Sequence, residues 1–204
     1  MEQIMEMVSK AGYVIYPLVI LSLISWAIII ERAFNVRVSK YIPKNFSDIK
    51  GLLQRGDIDG AIKLASLGND PFSRAIYIVL QEYAKGRRNK VHLSQIAEEE
   101  LVSVVPLVER NLILLSAIAS IAPLLGLFGT ITGLIKVFSA FAISETEEGV
   151  TLLASGISEA LTAAAAGLIV AIPALFAYWI YRAMGERVIT KIEFMFKEIL
   201  GILE

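Results

Sequence analysis

Three runs of uncharged, apolar residues interrupt an otherwise mixed chain: Ala11 to Ile30, Asn111 to Ile135 and Ala160 to Tyr181. Each reaches the roughly 20 residues a helix needs to cross about 30 Å of hydrocarbon. The pattern therefore predicts three transmembrane helices. The polar segment between the first two runs shows no strand alternation and reads as helical hairpins. Asp57 is placed to cap a short helix through Ala65, and Asp70-Pro71 pairs a cap with a proline at the first helical position. That second helix carries Ile76, Val79, Leu80 and Tyr83 on one face and is expected to stop near Gly86. Ser94 is expected to cap a third helix, whose apolar positions Ala97, Leu101, Val104 and Val108 keep helical spacing into the second apolar run. Transmembrane helix two is thus expected to extend into the cytoplasm as one long helix.

Composition agrees with a membrane protein. Hydrophobic residues make up 56% of the 204 positions and charged ones 19%, and the mean hydropathy is +0.65, too apolar for a soluble domain of this size. The absence of cysteine excludes disulfides, thiolate catalysis and cysteine-ligated zinc. The single histidine, His92, has no partner for a metal. No catalytic constellation is evident, so the expectation is a protein that is not an enzyme and uses no cofactor. A net charge of −1 without a basic patch gives no hint of nucleic acid. Glu2 and Glu6 before the first run, and Glu31-Arg32 after it, favour a retained helix over a signal peptide.

Orientation follows from Lys and Arg. Thirteen of them lie from Arg32 to Arg110 and four more from Arg182 to Lys197, whereas Phe141 to Gly149 has none and carries Glu145, Glu147 and Glu148. Both basic regions belong in the cytoplasm, with the amino terminus outside. The expected organisation is an outer amino terminus (1–10), helix one (11–31), a cytoplasmic helical domain (32–108), helix two (109–140), an outer loop (141–149), helix three (150–181) and a cytoplasmic carboxy-terminal helix (182–204).

Helix two holds Pro123-Leu124-Leu125-Gly126-Leu127-Phe128-Gly129-Thr130-Ile131-Thr132-Gly133. No Gly-Lys-Ser/Thr follows and no strand precedes it, so it is not a phosphate loop. In a membrane, Gly126, Gly129 and Gly133 let backbones approach closely, and Thr130 falls on the same side. The bland alternative for Thr130 is a hydroxyl bonded to its own helix. Helix three shows a matching small-residue stripe that includes Gly156, Ala160, Ala163, Gly167, Ala171 and Ala174, with Glu159, Thr162, Ala166 and Pro173 on an adjoining face. Glu159 is a charge within an otherwise apolar run, where such a residue usually faces a bundle interior or an ion path. Counted from Arg182 it lies roughly 34 Å along the helix, near the outer edge; counted from Gly149 it lies about 15 Å inside. Both frames stay open, and Lys136 reads as a snorkelling interface anchor.

Ala122 to Gly133 and Gly156-Ile157-Ser158-Glu159-Ala160-Leu161, with Ala166 to Ala174, closely resemble the ExbB/TolQ/MotA family. The likeness extends to Gly56 to Ala65 and to Pro71-Phe72-Ser73-Arg74, and three rather than four membrane helices point to the ExbB/TolQ branch. The resemblance implies a bacterial inner-membrane, proton-driven motor subunit with a periplasmic amino terminus. It also implies a homopentamer around a dimer of a single-span ExbD/TolR-like partner, whose aspartate carries the proton, and further contact with a TonB- or TolA-like protein. The implied path-lining positions are Thr130, Glu159 and Ala164, the last standing where the family usually has threonine. A methyl cannot relay a proton or hold a water as a hydroxyl does. Gly126, Gly129, Gly133, Ala160, Ala163, Gly167, Pro123 and Pro173 are the expected helix-packing residues. Rival readings are a non-conducting scaffold, which uses the same stripes, a flagellar-stator-like subunit, and a small-solute carrier, which usually needs broken helices or inverted repeats.

Overall fold

The computed structural model describes residues 12–35, 41, 45–141 and 147–203. It is an all-α membrane protein. A short 3-10 turn, Gly12–Val14, leads into α1 (Ile15–Asn35); α2 (Phe46–Gln54), α3 (Ile58–Ser66), α4 (Pro71–Ala84), α5 (Lys90–Val108), α6 (Leu112–Phe141) and α7 (Glu147–Ile202) follow. Of these, α1, α6 and α7 are long and apolar enough to cross a membrane. Glu2, Glu6 and Glu145 lie outside the described residues. Packing divides the chain into one unit of Met1–Glu31 with Asn111–Ile180 and another of Arg32–Arg110 with Tyr181–Glu204.

In the second unit the two aspartate caps lie where the sequence places them. Asp57 accepts the Gly60 N–H at 2.9 Å to start α3. Asp70 accepts the Ser73 N–H at 2.8 Å and the Ser73 hydroxyl at 2.6 Å, with Pro71 just inside the helix. Gly86, at φ +87, ends the turn after α4, a backbone geometry that side chains other than glycine rarely adopt. The apolar faces then meet in one core: Ile49, Leu53, Phe72, Ile76, Val79, Leu80, Leu93 and Val104 enclose Val188, Ile192, Phe196 and Ile199 of α7. Phe72 and Phe196 meet edge to face with centroids 4.9 Å apart. The spacing 188, 192, 195, 196, 199 is one helical stripe, which is why the end of α7 belongs to this core.

Three local expectations change. Asn89, not Ser94, caps α5, accepting the Val91 N–H at 2.9 Å, so the helix begins at Lys90. The connection before α7 is shorter than 141–149, because α6 runs through Phe141 and α7 starts at Glu147. The expected continuous helix from the cytoplasmic segment into the second apolar run is two helices, α5 and α6, with Asn111 at φ +62 between them. Asparagine tolerates this left-handed geometry better than most side chains. In an unbroken helix the Leu107 and Val108 carbonyls would accept from residues 111 and 112. Instead the Tyr41 hydroxyl donates to Leu107 O at 3.2 Å and the Arg32 guanidinium to Val108 O at 2.9 Å. Arg32 is only 1% exposed, and a cation at a helix carboxy terminus also suits the helix dipole.

After α4, Glu82 accepts hydrogen bonds from Lys85 at 2.7 Å and Arg87 at 2.6 Å, and these donors hold its carboxyl below its usual range. A carboxyl lowered in the fold adds stability that is present above its ordinary value of 4.5 and is lost as the pH falls through the lowered one. Glu82→Gln is therefore expected to flatten the acid-side loss of stability in pH-dependent thermal unfolding. Arg32→Met leaves the Val108 carbonyl without its guanidinium donor and is expected to cost about 1–3 kcal/mol. Amide hydrogen exchange in the last turn of α5 measures it, and an unchanged rate would rule out the cap.

Candidate functional site

Small residues set the spacing of α6 and α7. A Cβ added at Gly167 would stand 2.6 Å from Ala122 O and 3.0 Å from the Gly126 Cα. One at Gly126 would stand 3.0 Å from Ala163 O and 3.2 Å from the Ala164 Cα, and one at Gly133 would stand 3.1 Å from the Ala160 Cβ. Gly156 similarly admits the side chain of Val137. As positions rise along α7 their partners fall along α6, so the two helices run antiparallel. At Gly129 a Cβ would lie 2.6 Å from the Ala163 Cβ and 3.4 Å from Val14, so the 3-10 turn closes against the same seam. Ala160 and Ala163 are buried, whereas Pro123 and Pro173 are half-buried and interrupt neither helix.

Thr130 lies within this seam. Its Oγ1 is 3.2 Å from Gly126 O in its own helix and 3.1 Å from Ala160 O across the seam. One hydroxyl proton thus serves two carbonyls, one on each helix. The own-helix bond expected on the bland reading is thus present, together with one across the seam. Thr162 does bond within its own helix, to Ser158 O at 2.7 Å.

Glu159 faces elsewhere. Its Oε1 is 3.4 Å from the Lys136 ammonium, which in turn lies 5.7 Å from the centroid of the Tyr13 ring. Its carboxylate also rests against Gly12, where a Cβ would collide with it. Glu159 therefore lies level with Gly12, at the start of the described part of the first apolar helix. Ala164, five positions on, is rotated by roughly 140°. Thr130 and Ala164 share the seam, but Glu159 stands on the side of the 3-10 turn.

The seam residues fall within a match to the model of the MotA/TolQ/ExbB proton channel family over residues 68–194. The chain belongs to this family. Among its relatives, the Tol-Pal system protein TolQ of Haemophilus influenzae is 33% identical over 181 residues, covering 81% of this chain and 76% of that protein. A putative biopolymer transport protein ExbB-like 3 of Synechocystis is 34% identical over 179 residues, covering 86% and 83%. The biopolymer transport protein ExbB of Salmonella typhimurium is 29% identical over 182 residues, covering 85% and 73%. The chain is thus an ExbB/TolQ-type membrane protein of the family.

Sequence reasoning missed the partners of Glu159 in this family member. Lys136 is more than an interface anchor, since it pairs across helices. The signal was present: Lys136 is the lone cation between Arg110 and Arg182, and Glu159 is the lone charge from Gly149 to Tyr181. Isolated opposite charges in neighbouring apolar helices gain by pairing. Gly12 and Tyr13 carried no such signal, because they reach Glu159 only through the fold.

Gly167→Ala is expected to force α6 and α7 apart and cost about 1–3 kcal/mol. Gly201→Ala, where nothing lies within 4 Å of the new Cβ, serves as a control and should be neutral or stabilising. Thermal unfolding in detergent compares them, and equal midpoints would refute close packing at the seam. Thr130→Val should lower stability by about 1 kcal/mol and Thr130→Ser should restore most of it.

Proposed function

We propose that this chain is the proton-conducting subunit of an inner-membrane motor. It converts the proton motive force into mechanical work through a single-span ExbD/TolR-like partner, energising outer-membrane transport or envelope maintenance. The observation that supports this reading most is the family match, which takes in all of α6 and the part of α7 that closes on it. In this reading five copies surround a partner dimer, and a TonB- or TolA-like protein receives the work. The unit of Arg32–Arg110 with Tyr181–Glu204 is cytoplasmic, since it holds nearly all the Lys and Arg, and the amino terminus is periplasmic.

Each proton crossing about 100 mV releases roughly 2.3 kcal/mol, enough to bias a step between two arrangements of the partner. The close α6–α7 seam supplies a stiff wall against which such a step does work. The titrating carboxylate is the partner's aspartate. Thr130 supplies a hydroxyl beside it, Ala164 leaves an apolar patch at its own position, and Glu159 polarises the outer end of the path. Proton flux into liposomes holding the chain with its partner tests these roles. Thr130→Ala and Glu159→Ala should each lower flux several-fold at normal assembly, and wild-type flux in both would overturn the assignment.

A further inference from the structure

At the Gly12 end of the first unit, α6 and α7 each present one charge to the 3-10 turn. Lys136 Nζ lies 3.4 Å from Glu159 Oε1 and 5.7 Å from the centre of the Tyr13 ring, within reach of a cation–π attraction. Gly12 adopts φ +64, and its bare Cα is what lets the Glu159 carboxylate lie against the turn. Any other residue there would meet both backbone strain and the carboxylate. Gly12 and Lys136 thus meet the Glu159 carboxylate from two other chain segments, and Tyr13 meets Lys136.

We infer that Lys136 is a positioning residue that, with Gly12 and Tyr13, holds the Glu159 carboxylate against the amino-terminal turn of its own subunit and governs its reach into the path. The position of Glu159 on α7 supports this. Ala160 and Ala163 are buried against α6, and Ala166 packs with Val14, Ile15 and Leu18 of the amino-terminal segment. Glu159 is seven residues before Ala166 and shares its face. The Lys136 and Glu159 side chains are 56% and 31% exposed, so in water their pairing would be weak. Beside lipid, the same two charges cost more apart than together. The ring of Tyr13 stands beside the same ammonium. The inference rests on the proposed function only for its consequence, the control of a path-lining carboxylate.

The test uses the full chain in lipid nanodiscs and, separately, in liposomes with its partner. In nanodiscs, Lys136→Met and Glu159→Gln should each lower the unfolding midpoint. The double variant should lose less than the two losses added, and the exchange of charges, Lys136→Glu with Glu159→Lys, should regain part of the loss. Gly12→Ala should mimic Lys136→Met, and Lys136→Arg should keep the wild-type midpoint. Strictly additive losses, with no recovery on charge exchange, would overturn the pairing. In liposomes, Lys136→Met should change proton flux several-fold while Lys136→Arg does not. Coupled midpoints with unchanged flux would uphold the pairing, overturn the control of the path, and leave the test of Thr130 to decide the proposed function.

Discussion

Everything in the first unit depends on how closely α6 and α7 approach. At Gly126 and Gly167 the facing surface is backbone, so a methyl group on either glycine has no flexible side chain to push aside. In lipid there is little hydrophobic drive to bring two apolar helices together, and close van der Waals contact has to supply the attraction. Glycine and alanine allow that contact by removing bulk from the seam. The approach also puts Thr130 within hydrogen-bonding distance of Ala160 O, since a hydroxyl on a short side chain reaches a facing carbonyl only when the helices nearly touch.

The second unit is held by different physics. Its helices are short and amphipathic, and each buries one stripe in a common core with the end of α7. Local signals mark its turns: carboxylates at Asp57 and Asp70, positive φ at Gly56 and Gly86. The end of α5 is the exception. There Arg32 and Tyr41, distant in sequence, satisfy carbonyls that the broken helix leaves open.

This contrast explains what could be read in advance. The three apolar runs, the two aspartate caps and the small-residue stripes are local patterns, legible because they repeat with a known period. The break at Asn111 was not legible, because the apolar spacing on either side continues as if the helix were whole. The start of α5 was misplaced because Asn89 and Ser94 are both good caps and only the backbone chooses between them. The Glu159 site was half legible: the misplaced charge is plain in the sequence, its partners are not.

By itself the sequence determined the class of protein, the number of apolar helices, the glycine and alanine faces that must touch, and the family to which those faces belong. The first three follow from composition and periodicity, which need no knowledge of neighbours; the family follows from the resemblance of particular motifs such as Ala122 to Gly133. Only the tertiary structure decided that Thr130 shares its proton between two helices, and that Glu159 turns toward Gly12, Tyr13 and Lys136 while Ala164 stays at the seam. The physical reason is that a side chain's partners depend on the rotation and register of packed helices, and many residues far apart in the chain set these jointly.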